Sequence, residues 1–267
     1  MAYAHIRDID IWFERVGAGS PLLAISGSNG DLRRTPNLFR SGLAGAFDLV
    51  AYDQRGLGRT SKPDRQHFMT DFAQDAASLM QSVAWEHAGV VGLSFGGMVA
   101  MELAVRYPAR VSKLVLCCTS PGGAGGSSYP LHTLQSLTSN ERARRMVSLL
   151  DTRCDTTWAA ENPAKAEEQL RNLTADPYAV EIGHQIGIAR LLEARRSHDV
   201  WDRLDRITCP VLICGGRFDG IALPETQQRM AERIPNASLR MFDGGHSFLW
   251  QDGSAMSEII EFLREQG

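Results

Sequence analysis

Two kinds of segment alternate along most of the chain: short runs of apolar residues, and longer stretches with apolar residues at helical spacing. Ile9-Asp10-Ile11-Trp12-Phe13-Glu14 alternates in part and predicts an early strand, and Pro21-Leu22-Leu23-Ala24-Ile25 is a continuous apolar run closed by the turn cluster Ser26-Gly27-Ser28-Asn29-Gly30. Residues 47–52 repeat that pattern and end in Asp53-Gln54-Arg55-Gly56-Leu57-Gly58. Phe72, Ala73, Ala76, Leu79, Met80 and Val83 then fall on one face of a helix over 70–85. A strand at 89–91, a helix over 97–107 stopped by Pro108, and a strand at 111–118 follow. The rhythm returns as strand 210–214, helix 225–233, strand 237–242 and helix 256–263. Near-continuous apolar strands separated by helices predict a mostly parallel sheet covered on both faces.

Between the two halves the rhythm breaks. Pro121-Gly122-Gly123-Ala124-Gly125-Gly126-Ser127-Ser128 reads as a flexible connector, a hinge or loose loop. It has no GK[ST] and no helix directly after it, which argues against a phosphate cradle. From 140 to 198 only helical patterns occur, about three helices, the first opened by a capping box of Thr138 and Glu141. The expected organisation is a core in two parts, residues 1–120 and 200–267, with a helical insertion over 121–199.

Composition narrows the partners. A net charge of −3 from 28 basic and 31 acidic residues offers no strong attraction to nucleic acid or to an anionic membrane. A small molecule is therefore the expected partner, and the oligomeric state stays open. No apolar run nears the roughly 18 residues of a bilayer span, and the first residues lack a basic segment followed by an apolar one, so a cytoplasmic location is expected. Of five cysteines, Cys117, Cys118, Cys209 and Cys214 lie in apolar strand-like runs and read as small core residues, while Cys154 is less readily placed.

The chemistry centres on Gly92-Leu93-Ser94-Phe95-Gly96-Gly97. A GxSxG pattern is short enough to arise by chance, so its surroundings decide. A strand precedes it and a helix follows, and small residues at 92, 96 and 97 permit a sharp bend that holds Ser94 at the helix N-terminus with its hydroxyl exposed. A serine hydroxyl needs a base, and the base needs a partner that fixes its tautomer. Among seven histidines only His246 sits just past a predicted strand, after Gly244-Gly245; His5, His67, His87, His132, His184 and His198 read as structural or solvated. Asp219, just after the strand at 210–214, is the favoured acid. Its rival, Asp243, is only three residues from His246 and is expected to point elsewhere.

Together these stretches resemble the α/β-hydrolases of the cap-bearing, cofactor-free type, over nearly the whole chain. The residues that carry the likeness are Ser26-Gly27-Ser28, Asp53-Gln54-Arg55-Gly56-Leu57-Gly58, the serine turn, Gly215-Gly216-Arg217-Phe218-Asp219 and Gly244-Gly245-His246. The resemblance implies an eight-stranded, mostly parallel sheet with flanking helices and an inserted helical cap. It implies Ser94 as nucleophile, His246 as general base and then acid, and Asp219 as orienting acid, with no metal and no cofactor. It also implies an oxyanion hole from the backbone N–H groups of Phe95 and Ser28. Many relatives carry His-Gly where this chain has Ser26-Gly27, which removes an imidazole that usually braces that loop.

The expected reaction is acyl transfer to water from a small carboxylic ester or lactone. Ser94 excludes the dehalogenase branch, which needs a carboxylate nucleophile. The alternative within enzymes is cleavage of carbon-carbon bonds in ring-cleavage keto acids, for which Arg190 on an inserted helix would pair with the substrate carboxylate; beside Arg195 and Arg196 it reads more readily as part of a solvated face. Trp158 and Met146 are candidates for the pocket wall, or for helix packing alone. A rival of another class is a ligand receptor that keeps the triad.

Overall fold

The computed structural model describes residues 1–265. Eight strands form one sheet: β1 (Ala2–Ile6), β2 (Ile9–Val16), β3 (Pro21–Ile25), β4 (Asp48–Tyr52), β5 (Ala88–Leu93), β6 (Val111–Cys117), β7 (Val211–Gly216) and β8 (Ala237–Phe242). Their order across the sheet is β1-β2-β4-β3-β5-β6-β7-β8. β2 runs antiparallel to β1 and β4, and every pairing from β4 through β8 is parallel. All the parallel strands therefore end on one edge, which is where an open α/β sheet places its ligand site.

Both faces of the sheet are buried, as the continuous apolar runs require. Leu23, Ile25, Val90, Leu114, Leu116 and Ile213 face one core, packed by α1 (Met69–Ser82) and α2 (Phe95–Arg106). Their sequence neighbours Leu22, Ala24, Val91, Val115 and Leu212 face the other. Among the described residues no helix is long and apolar enough to cross a membrane.

Between β6 and β7 lie four α-helices, where the sequence predicted about three: α3 (Ser139–Leu150), α4 (Thr156–Glu161), α5 (Pro163–Thr174) and α6 (His184–Arg196). The extra boundary falls at Asn162, where Pro163 starts a new helix because proline fits a first turn and not an interior. The predicted capping box is present: the Glu141 N–H donates to Thr138 Oγ1, and the Thr138 N–H donates to Glu141 Oε2. α7 (Pro224–Arg233), α8 (Phe248–Gln251) and α9 (Ala255–Arg264) complete the chain.

The glycine run 121–128 is not a loose loop. A Cβ on Gly122 would lie 2.0 Å from the His198 carbonyl oxygen, and one on Gly125 would lie 2.2 Å from the Trp201 ring. The Pro121 carbonyl accepts from Val200 N–H at 2.9 Å. Glycine is needed here for close backbone approach.

An ion pair anchors the loop after β4. Arg55 is fully buried and donates to both oxygens of Asp75 at 2.7 and 2.8 Å, with a further bond to Asp8 at 3.1 Å. Removing one member of a buried pair leaves an uncompensated charge. Arg55→Met is expected to lower the unfolding free energy by about 3–5 kcal/mol in urea denaturation, and Arg55→Met combined with Asp75→Leu is expected to recover much of it. A loss under about 1 kcal/mol in the single variant would show that the pair does not hold this loop.

Candidate active site

Ser94 sits between β5 and α2 with φ 54°, a left-handed conformation that a non-glycine residue adopts at a cost. The bend is held by its surroundings. The Ser94 N–H donates to the Cys117 carbonyl at 2.8 Å, and the Ser94 carbonyl accepts from Gly97 N–H at 2.9 Å. A Cβ on Gly92 would lie 2.4 Å from the Gly96 oxygen, one on Gly96 2.1 Å from the Ile25 oxygen, and one on Gly97 2.6 Å from the Thr119 side chain. The small residues let helix and strands approach until only backbone fits between them.

Ser94, His246 and Asp219 come together from the ends of three strands. His246 Nε2 lies 2.9 Å from Ser94 Oγ, and His246 Nδ1 lies 2.8 Å from Asp219 Oδ2. A carboxylate only accepts, so Nδ1 carries the proton toward Asp219 and Nε2 is left to accept from the hydroxyl. Asp219 is buried, and its other oxygen accepts from the N–H groups of Ile221 at 2.7 Å and Ala222 at 2.9 Å. Three neighbours thus fix one carboxylate. Asp243, the rival acid, is 73% exposed and pairs with Arg153 at 3.0 Å.

Neither Gly244 nor Gly245 has a positive φ, so these glycines serve close approach and not a left-handed turn. A Cβ on Gly245 would lie 2.0 Å from the Leu150 oxygen at the end of α3. The same oxygen accepts from the His246 N–H at 2.6 Å. Cys118 is a further buried neighbour, its sulfur within 4.8 Å of ligand atoms of Asp219 and His246. Burial pushes its thiol well up, and the Asp219 charge adds to that, so it stays a neutral thiol.

Phe95 opens α2, so its backbone N–H has no acceptor within the helix. Ser28 lies across the groove in the loop after β3, whose Gly27 would place a Cβ 3.4 Å from that of Ser94. With Ser26 in place of a histidine, the loop is braced from elsewhere: Gln54 Nε2 donates to the Ser26 carbonyl at 2.7 Å. Asp53 Oδ1 accepts from Leu32 N–H at 2.7 Å and Oδ2 from Arg59 N–H at 2.8 Å, tying the loops after β3 and β4 together. The motif at 53–58 was visible in the sequence, but which side chains reach the neighbouring loop was not.

A cavity of about 650 Å³ extends from Ser28 and Asn29 under the inserted helices, walled by Leu131, Leu134, Met146 and Ile188. Met146 therefore lines it, whereas Trp158 does not and is only partly buried on α4. Arg190 does not line it either. Its guanidinium is held by Asp64 at 2.8 Å and Glu193 at 2.9 Å, because a charge near the surface takes the nearest carboxylates. Arg33 and Arg34, which the sequence reading passed over, link the loop after β3 to the insertion through Glu181 and Asp176.

Burial pushes the Asp53 carboxyl up to about 6, although both amide donors favour its charged form. Between an ordinary value near 3.8 and about 6, the folded state holds a proton that the unfolded chain has released, so stability falls as pH rises through that window. The group should account for a loss of about 3 kcal/mol between pH 4 and 6.5. Asp53→Asn is expected to abolish that step in urea denaturation across the window. A constant difference between wild type and variant across that window would show that folding does not raise the Asp53 pKa.

Comparison with known proteins agrees with this architecture. Residues 21–253 match the family model described as alpha/beta hydrolase fold. A protein of Azorhizobium caulinodans named, provisionally, carbamate hydrolase RutD is 29% identical, with 97% of each chain covered. The structure of an enol-lactonase from Burkholderia xenovorans superposes with a TM-score of 0.80 at 20% identity, covering 99% of this chain and 100% of that one. A thermophilic esterase from Thermogutta terrifontis gives a TM-score of 0.73 at 27% identity, covering 96% of this chain and 93% of that one. With the strand order, the serine bend and a family match over most of its length, the chain belongs to the α/β-hydrolase fold family.

Proposed function

We propose that the protein is a serine hydrolase that cleaves a small carboxylic ester or lactone through an acyl-enzyme on Ser94. The observation that carries this reading is the continuous hydrogen-bonded chain from Ser94 Oγ through the His246 ring to Asp219. In the first half-reaction His246 Nε2 takes the hydroxyl proton as Oγ attacks the carbonyl carbon, and the Asp219 charge stabilises the imidazolium. The N–H groups of Phe95 and Ser28 stabilise the oxyanion. Collapse of the tetrahedral intermediate expels the alkoxide, which takes the proton from His246. Water then repeats the sequence on the acyl-enzyme, releasing the acid and restoring Ser94.

The cavity beside Ser28, whose walls mix aliphatic side chains with Arg34, Gln135, Arg142 and Asp176, suits a small substrate with both apolar and polar groups. The carbon-carbon alternative relied on Arg190, whose donors are engaged by Asp64 and Glu193 away from that cavity. The names of the relatives, carbamate hydrolase, enol-lactonase and esterase, share attack on an acyl carbon, so a carbamate belongs in any test.

A panel of p-nitrophenyl esters, lactones, alkyl carbamates and dienoic keto acids is expected to give multiple turnovers on an ester or lactone. A fluorophosphonate should label Ser94. Ser94→Ala should lower kcat by about 10⁴-fold or more with little change in KM, and Asp219→Asn by about 10⁴-fold. Asp243→Asn is expected to keep near-normal activity. Esterase activity retained by Ser94→Ala would sink the mechanism. A single slow turnover on every substrate would favour the receptor, and turnover confined to carbamates would move the substrate class.

A further inference from the structure

A second cavity, of about 190 Å³, lies between α2, the glycine run after β6 and the end of α6, and none of Ser94, Asp219, His246, Ser28 and Phe95 lines it. Its wall includes Arg195, His198, Arg196, His132, Ser120 and Ser128. Arg195 is only 6% exposed, and among the described residues no carboxylate forms an ion pair with it. Nη1 donates to the Tyr129 carbonyl at 2.9 Å and Nη2 to Ser128 Oγ at 2.7 Å, while Nε is buried without a partner. Two bonds to neutral oxygens satisfy donors but leave the charge uncompensated. Burial alone holds this guanidinium down at about 10.

The other wall residues add donors and no negative charge. His198 is buried, and the Ser120 backbone approaches its ring without reaching hydrogen-bond geometry, so both ring nitrogens lack a partner. The nearest acids are committed elsewhere: Glu102 pairs with Arg203 at 2.9 Å and with Arg106 at 2.5 Å, and Asp199 accepts from Trp201 N–H at 3.1 Å. Arg196 is exposed, which leaves a route from solvent. A buried cation without a counter-ion is costly, and an anion seated beside it offsets that cost while using the free donors.

We propose that this cavity is a binding site for a small oxyanion, free phosphate or the carboxylate of a small metabolite, with Arg195 as its charge partner and His198 as a further donor. The room is several times that needed for one water, enough for such a group. The bound anion would join α6 to the connector after β6, since Arg195 already bonds to Ser128 and Tyr129. The proposal is independent of what Ser94 attacks.

Isothermal titration calorimetry of the whole protein with inorganic phosphate, and separately with acetate, at constant ionic strength set by chloride, tests it. Saturable binding of either anion is expected, and the arm that binds more tightly assigns the source. At ten times Kd the Tm should rise by about 3 °C. Arg195→Met should weaken binding at least tenfold, and Arg195→Lys, which keeps the charge, by less. Should Arg195→Met fail to fold, a wild-type crystal soaked in tungstate gives the same answer, with an anomalous peak expected beside Arg195 and His198. No saturable binding of either anion, unchanged affinity in Arg195→Met, or tungstate only at other positions would overturn the proposal.

Discussion

The rest of the site depends on how closely α2 approaches the ends of β3 and β5. At Gly92, Gly96 and Gly97 a single methyl group would meet backbone or a buried side chain within 2.4, 2.1 and 2.6 Å. That closeness forces Ser94 into the left-handed region, at a cost of about 1–3 kcal/mol. The cost is offset locally, because the strained residue bonds through its N–H to β6 and through its carbonyl to the first turn of its own helix. The same approach leaves the Phe95 N–H free at the helix N-terminus, where partial positive charge accumulates. The proposed nucleophile and one candidate oxyanion donor are therefore products of one packing constraint.

From that fixed point the parallel sheet supplies the remainder. β5, β6, β7 and β8 are consecutive neighbours running the same way, so their following loops emerge side by side. Ser94, Asp219 and His246 follow β5, β7 and β8, and the imidazole spans the gap left by β6. Cys118, just past β6, fills the space beneath with a small neutral side chain. A larger residue there would crowd the groups that Asp219 and His246 bring together.

Much of this was legible in the sequence because buried parallel strands and tight bends leave local signatures. β3 and β7 read as unbroken apolar runs, and the serine bend reads as a cluster of small residues. β1 did not read, since only Ile6 of its five residues is buried and it pairs at the sheet edge through its backbone. What stayed hidden was long-range. Arg190 meets Asp64, 126 positions away, and Gln54 takes over a bracing role at Ser26 from 28 positions away. No periodicity reports such pairings. The glycine run after β6 misled for a related reason: flexibility and close approach leave the same letters, and only His198 and Trp201 in place distinguish them.

The insertion is also wired into the site by the end of one helix. The last carbonyls of an α-helix have no intrahelical donor, and at α3 the site loops provide them: Leu149 accepts from Gly220 N–H at 3.0 Å and Leu150 from His246 N–H at 2.6 Å. Asp151, next in the chain, binds Arg153 and Gln251, and Gln251 in turn accepts from Gly245 N–H at 2.8 Å. The loops bearing Asp219 and His246 are thus both fastened to one helix terminus. A shift of Leu150 would move the backbone of His246 directly. The cavity wall and the anchoring of His246 thus fall to different parts of the same segment.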